Sequence, residues 1–417
     1  MRRGLFVLLF VVSLPLFAAD PPKADPPKTV TFAGDWQTSF GPMTLAEKDG
    51  KVTGFYTTGR DKNAIEGTVK DRKLTFTYKE TAASGEGEFE LAADGLSFSG
   101  KWRQTGDQQW GLWSGTRPKA KDFTGLWRSE VGPMRLTQTG DQVRGTYLWA
   151  GSGGIEGTVK GKVLTFTYTE ATGKKGSGTF TLADDADSFA GNWKEEGGSK
   201  EQPWPTNKRA TPVPGKQWLI VVEANWEGSL NEAEYSFGSM LKAFFAGSEE
   251  VGVRHRHFTD AASMTKWLKE VAFLAEPVVV VLSSHGSPAG PDAEKGPPTP
   301  KAIADALRGA SNVRLLHFAA CEVMRGKFGE QVQKELGADA TFPVSGYTTS
   351  VDWAGSAVSE FLFYDFLFRR GMDPEQAMAQ LIKAMPYVGE TAPKGSPIPA
   401  LGMKLRPSPL VSKSIER

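Results

Sequence analysis

The order of hydrophobic and polar positions divides the chain into two regions of different period. From residue 30 to about 205, short runs alternate apolar and polar residues, as in Leu74-Thr-Phe-Thr-Tyr78. Turn signals such as Lys48-Asp-Gly50 and Ala93-Asp-Gly95 separate them. A period of two between such turns predicts antiparallel strands joined by hairpins. No helical period interrupts them. About eight segments fall in the first half of this region, a number that suits a small closed up-and-down barrel without exposed edges. Beyond residue 215 the pattern changes. Continuous apolar runs (Trp218 to Val222, Val278 to Leu282, Val313 to Phe318) read as buried parallel strands. Helical segments lie between them. Asp260 to Leu274 carries a stripe of Met264, Trp267, Leu268 and Val271. Thr299-Pro300 opens a second helix, with proline at its first position. Gly337 ends a helix from Phe328 to Leu336, and Gly371 ends one from Ser356 to Arg370. Asp373-Pro-Glu-Gln376 has the form of a capping box that starts the last helix. This alternation predicts a mostly parallel α/β sheet with helices on both faces.

The β region is duplicated. Phe32-Ala-Gly34-Asp-Trp36 recurs as Phe123-Thr-Gly125-Leu-Trp127, and Gly41-Pro-Met43 recurs as Gly132-Pro-Met134. Ile65-Glu-Gly-Thr-Val69, Leu74-Thr-Phe-Thr-Tyr78 and Phe98-Ser-Gly100-Lys-Trp102 return in the same order at Ile155, Leu164 and Phe189. The expected organisation is a signal peptide at 1–19, a Pro-rich linker at 20–29 and β-barrel-like repeats at 30–118 and 119–205. A linker at 206–214, an α/β domain at 215–408 and a tail at 409–417 complete it. With 417 residues, 39% of them hydrophobic, the chain is long enough for such separate cores.

Charge excludes one class of partner. Lys+Arg number 49 and Asp+Glu 48, so no nucleic-acid partner is expected. Arg2 and Arg3, the apolar run Leu5 to Leu14 and the small-residue exit Ala18-Ala19-Asp20 have the layout of a secretory signal. The apolar run is short for a bilayer, and no other segment reads as membrane-spanning. Bulky Leu16 and Phe17 near the cut leave a retained anchor open as the alternative. The expected location is secreted or periplasmic. Cys321 is the only cysteine, so the chain has no internal disulfide, and the thiol pairs with another chain, lies inert or reacts.

The candidate chemistry stands where two apolar runs break off. Val278 to Ser284 ends at His285-Gly286, and Val313 to Ala320 ends at Cys321. Ligands of open α/β sheets bind outside the carboxyl ends of the strands. If the two strands are neighbours, the imidazole and the thiol emerge side by side. A thiol near pH 7 is only a few per cent thiolate, and a nearby imidazole raises the reactive fraction. Taken singly, each residue has a plain reading. A lone buried cysteine is usually a small hydrophobe, and His-Gly after a strand is often a turn. His317, inside its strand, reads as a core histidine. His255 and His257 alternate on an expected edge strand without an acid or Cys cluster, so no metal site and no cofactor are expected.

With a strand ending in His-Gly, a later one ending in Ala-Cys, and the run Ser345-Gly-Tyr, Asp352-Trp353, Glu360-Phe-Leu-Phe-Tyr364, residues 215–405 resemble the caspase-like domain of clan CD cysteine peptidases, within it the CHAT branch. The resemblance implies Cys321 as nucleophile, His285 as acid and base, and the backbone N–H groups of Gly286 and Cys321 as an oxyanion hole. The metacaspase Asp and the caspase Gln before the nucleophile are absent, since Phe318-Ala-Ala320 stands there. Glu227, Asp352 and Trp353 are the candidates for an S1 pocket, and a carboxylate at its base would select Arg or Lys. The loop from Ser287 to Pro298 reads as a flap over the cleft or an inert connector. The repeats bear a faint likeness to avidin-type or lipocalin-type barrels. Trp36, Trp102, Trp127, Trp149 and Trp193 read as barrel core or as the lining of a ligand cup. The sequence thus points to an exported cysteine endopeptidase acting on a peptide or protein, with repeats that recruit a substrate, cell surface or small ligand. The rival reading is a non-enzymatic binding or adhesion protein with an inactive caspase-like domain.

Overall fold

In the computed structural model, strict alternation along each early strand produces two closed barrels. Described are residues 31–409 apart from 93, 94, 96, 119, 120, 131, 149–152, 214, 230, 233, 338 and 339. The expected signal peptide, the Pro-rich linker, Trp149 and all but the first residue of the tail lie outside the described residues. Strands β1–β8 (Gly34–Thr116) form the first barrel, each paired with the next and β1 closing on β8. Strands β9–β16 (Gly125–Arg209) form the second. Leu74, Phe76 and Tyr78 point inward from β5 (Lys73–Lys79), while the threonines between them face water.

Trp36, Phe89, Phe98 and Trp113 fill the first interior, and Trp127, Phe166, Phe180 and Trp204 the second. The repeated Gly-x-Trp motif has a mechanical cause. Arg117 lies over the Trp36 ring, 3.8 Å from its centroid, and its guanidinium donates to the carbonyls of Ala33 (2.6 Å) and Thr31 (2.5 Å). Gly34, with φ +110°, passes beneath it, and a Cβ there would stand 2.7 Å from Nη1. Arg209, Trp127 and Gly125 repeat the arrangement. An Arg117→Met variant keeps the stem but strands those carbonyls. It is expected to cost about 1–3 kcal/mol, read as a lower thermal midpoint by tryptophan fluorescence.

The second barrel runs further than its sequence pattern indicates. Residues 202–209 form β16, the strand that closes it through Lys208 and Arg209 against Arg128 and Trp127. Pro203 and Pro205 disguise this strand as linker.

The C-terminal region builds on a six-stranded sheet. Its strands are β17 (Gln217–Ala224), β18 (Val251–Phe258), β19 (Val278–Ser283), β22 (Val313–Ala319), β23 (Val344–Tyr347) and β24 (Met403–Arg406). A two-stranded hairpin, β20 (Gly286–Ser287) and β21 (Gly290–Pro291), stands apart. The spatial order is β18-β17-β19-β22-β23-β24; the first five run parallel and β24 antiparallel. The helices are α1 (Phe237–Phe244), α2 (Ala261–Val271), α3 (Pro300–Leu307), α4 (Phe328–Leu336), α5 (Trp353–Phe368) and α6 (Pro374–Ala384). α2, α3 and α4 pack on one face through Met264, Leu268, Ile303, Leu307 and Val332. α1, α5 and α6 cover the other through Leu241, Phe363, Leu367 and Leu381. The central strands are therefore buried on both sides and read as unbroken apolar runs. α5 begins at Trp353, three residues before the expected start, because Asp352 caps it by accepting from the Gly355 N–H at 2.8 Å. No helix among the described residues is long and apolar enough to cross a membrane.

Both barrels attach to the amino ends of the parallel strands. Two crevices lined by the first barrel also touch Gln217, Pro277, Val313 and Pro343, which start or precede four of those strands. Lys73 pairs with Asp373, and Arg72 donates to the Thr341 carbonyl at 2.8 Å. From the second barrel, Arg135 donates to the carbonyls of Ala272 (2.7 Å) and Leu274 (3.1 Å) just past α2. Among the described residues, none from either barrel lines the cavity at the carboxyl ends of the strands.

Candidate active site

The chain leaves β17 to one side for β18 and returns across it to β19, so the strand order reverses between β17 and β19. A crevice forms outside the carboxyl ends at such a point. Here it is a cavity of about 390 Å³. The loop after β17 contributes Trp226, Glu227 and Tyr235, β19 leads into His285, β22 into Ala320 and Cys321, and α5 adds Trp353 and Glu360.

His285 and Cys321 arrive there by register. Ser283 of β19 pairs with Ala319 of β22, so each chain has two further residues to its reactive side chain. Gly286 then runs against the cysteine loop. A Cβ on it would lie 2.8 Å from the Cys321 carbonyl oxygen and 2.9 Å from the Ala320 Cβ. Glu322, directly after the cysteine, has φ +60°, a conformation uncommon for a non-glycine residue and often stored at functional turns. A Gly286→Ala variant must push the two loops apart. A displacement near 1 Å costs on the order of 10²-fold in rate, which hydrolysis assays beside unchanged circular dichroism would register.

The two reactive groups have different neighbours. His285 is solvent-exposed, and its Nε2 lies 3.1 Å from the Trp226 carbonyl oxygen. A carbonyl only accepts, so Nε2 carries the proton and Nδ1 keeps the lone pair in the neutral ring. The Trp226 indole meets the imidazole edge-on, with centroids 5.0 Å apart. The Cys321 sulfur receives the Val351 N–H at 3.4 Å and faces the Val351 carbonyl at 3.7 Å.

The remaining sequence candidates separate. Glu227 lines the cavity, and the Tyr235 N–H, 2.5 Å from its Oε1, holds its carboxyl below the usual range. Trp353 lines it too, with its ring 5.3 Å from both Trp226 and Tyr235. Asp352 serves as the α5 cap instead of lining the cavity. The Ser287–Pro298 loop is tied to the fold by the Asp292 N–H on the His285 carbonyl (2.8 Å) and the Lys295 N–H on Thr259 (3.1 Å).

Two buried acids were not singled out from the sequence. Glu360, 1% exposed, sits at the cavity floor and accepts from the Tyr347 and Tyr364 hydroxyls at 2.9 Å each. Burial, then the Glu360 charge, raise both phenols well above their ordinary values, so they stay donors. His317, fully buried, bonds Ser345 Oγ through Nδ1 at 2.7 Å and places Nε2 3.4 Å from Glu360. Glu223, near the end of β17, is the second. For both, an acid inside an otherwise apolar run was the available signal.

No family model matches this sequence, and no curated protein matches it. Among solved structures, the chain is similar to caspase-1 from Spodoptera frugiperda at 12% identity, over 46% of this chain and 86% of that one, with a TM-score of 0.31. A prolyl endopeptidase structure aligns at 8% identity over 71% of this chain and 65% of that one, with a TM-score of 0.14. Both scores are too low for either likeness to bear on the chemistry, which rests on the residues above.

Proposed function

We propose that this chain is a cysteine peptidase of the caspase-like type that cleaves after a basic residue. One observation carries the reading: His285 and Cys321, delivered by adjacent parallel strands, line the same cavity at the point where strand order reverses. The thiol proton passes to His285 Nδ1, and Sγ adds to the scissile carbonyl carbon. The C–N bond breaks, and the amine leaves with the proton from Nδ1. A thioester remains. Nδ1 then takes a proton from water, the hydroxide adds to the thioester, and Sγ leaves and regains its proton. The N–H groups of Gly286 and Cys321 would receive the charge on the carbonyl oxygen. No cofactor is needed for these steps.

The basic preference is supported by the wall chemistry. Glu227, Glu232 and Glu360 line the cavity together with Trp226, Tyr235, Phe237 and Trp353, and no Lys or Arg is among the described residues that line it. Carboxylates and aromatic faces both attract a cation. In this reading the protein is exported, and the barrels recruit a substrate or a surface.

Incubating the full chain with an acyloxymethyl ketone probe bearing a basic P1 residue tests the proposal. Covalent labelling of the wild type and none of Cys321→Ala is expected. A second reading, a binding protein with an inert caspase-like domain, draws on the seating of the sulfur against Val351. An unlabelled, folded wild type would favour it.

A further inference from the structure

Glu223 lies near the carboxyl end of β17, one strand in from the sheet edge, and is fully buried. A carboxylate in that position is unfavourable unless its lone pairs are met. They are met by the N–H groups of Phe237 (2.7 Å) and Gly238 (3.2 Å), the hydroxyls of Ser236 (2.9 Å) and Ser283 (3.1 Å), and the Trp226 indole N–H (2.9 Å). His255 Nε2 adds a contact of 2.8 Å, off the ideal hydrogen-bond direction. Burial pushes this carboxyl up, but the donors outweigh it and hold it at about 2.

Two of these partners lead to the imidazole. Ser283 stands two residues before His285 on the same strand end. Trp226 is bound to Glu223 through its indole and to His285 through its carbonyl. We propose that Glu223 is a positioning residue that fixes the tautomer and orientation of His285 through Trp226 and Ser283. The carboxylate never meets the substrate. It holds the Trp226 carbonyl where Nε2–H satisfies it, which leaves Nδ1 as the unprotonated ring nitrogen able to act as base. A glutamine at this position would turn an N–H₂ group against donors. Trp226 would then lose its anchor, and either ring nitrogen could carry the proton. The kinetic consequence rests on the peptidase reading; the tautomer does not.

The test uses the full chain labelled with ¹⁵N-histidine. There are four histidines, so a His285→Ala spectrum assigns the signal of interest. Wild type is expected to show a single Nε2–H tautomer for neutral His285. Glu223→Gln should bring its two nitrogen shifts toward each other as the tautomers mix. Peptide turnover should fall by roughly 10–10²-fold with KM little changed. A merely structural role would alter stability and leave the tautomer intact, so a folded Glu223→Gln with the wild-type tautomer overturns the proposal. Should Glu223→Gln not fold, Trp226→Phe, which removes the indole donor and keeps a smaller aromatic ring beside His285 and Trp353, is expected to mix the tautomers, and an unchanged tautomer there overturns it equally. A tautomer that responds to Glu223→Gln in a wild type that hydrolyses no peptide supports the positioning role and removes the peptidase reading.

Discussion

Replacing Cys321 by alanine is expected to abolish peptide hydrolysis, and His285→Ala to slow it by ~10²–10⁴-fold. The asymmetry follows from the roles. Without the sulfur no thioester can form, and no other cysteine in the chain can substitute. Without the imidazole the sulfur remains, and water must take over the proton transfers. Neither residue fills the side-chain pocket alone, so KM should change less than kcat. Steady-state hydrolysis reads both. Equal activity of Cys321→Ala and wild type would end the peptidase proposal.

Substrates with Arg or Lys at P1 are expected to exceed their Glu counterparts by at least ~10³ in kcat/KM. A charge-assisted contact contributes about 1.5–3 kcal/mol, and a glutamate side chain would meet Glu227, Glu232 and Glu360 as like charges. Glu360→Gln should lower kcat/KM for the basic substrate by roughly 10–10²-fold, because one such contact is lost. Its cost in stability is read separately by thermal unfolding, since the Tyr347 and Tyr364 hydroxyls donate to different carboxylate oxygens and one of them would meet the glutamine amide nitrogen. A peptide panel decides the matter. Cleavage after Asp or after a large apolar residue, and not after Arg or Lys, would remove the basic preference.

The periodic features were legible. Inward and outward alternation shows the barrel strands because one face of each is packed and the other wet. Unbroken apolar runs show β17, β19 and β22 because helices cover both faces. The positions of His285 and Cys321 could be read as strand exits for the same reason. What escaped depends on contacts distant in sequence. Glu223 and Glu360 stand in apolar surroundings, and although Trp226 and Tyr364 are near in sequence, Phe237, Ser283 and Tyr347 reach them from 13 or more residues away. Asp352 looked like a pocket acid because it stands on the rim, in the loop after the fifth strand. A helix starting one residue later takes its carboxylate as a cap. The Trp226 carbonyl was out of reach altogether, since a backbone oxygen has no letter in a sequence. β16 was read in part as linker because prolines are rare in strands, yet Pro203 and Pro205 fit here in the strand that closes the barrel.

The six residues of β19 span about 20 Å, and the barrels grip one end of that length while the cleft opens at the other. Cargo held by a barrel would thus be kept out of reach of the sulfur on the same molecule unless it were long enough to wrap around the sheet. Attachment would raise the local supply of neighbouring chains without occupying the cutting edge, an arrangement suited to trimming what surrounds an anchor point and sparing the anchor itself.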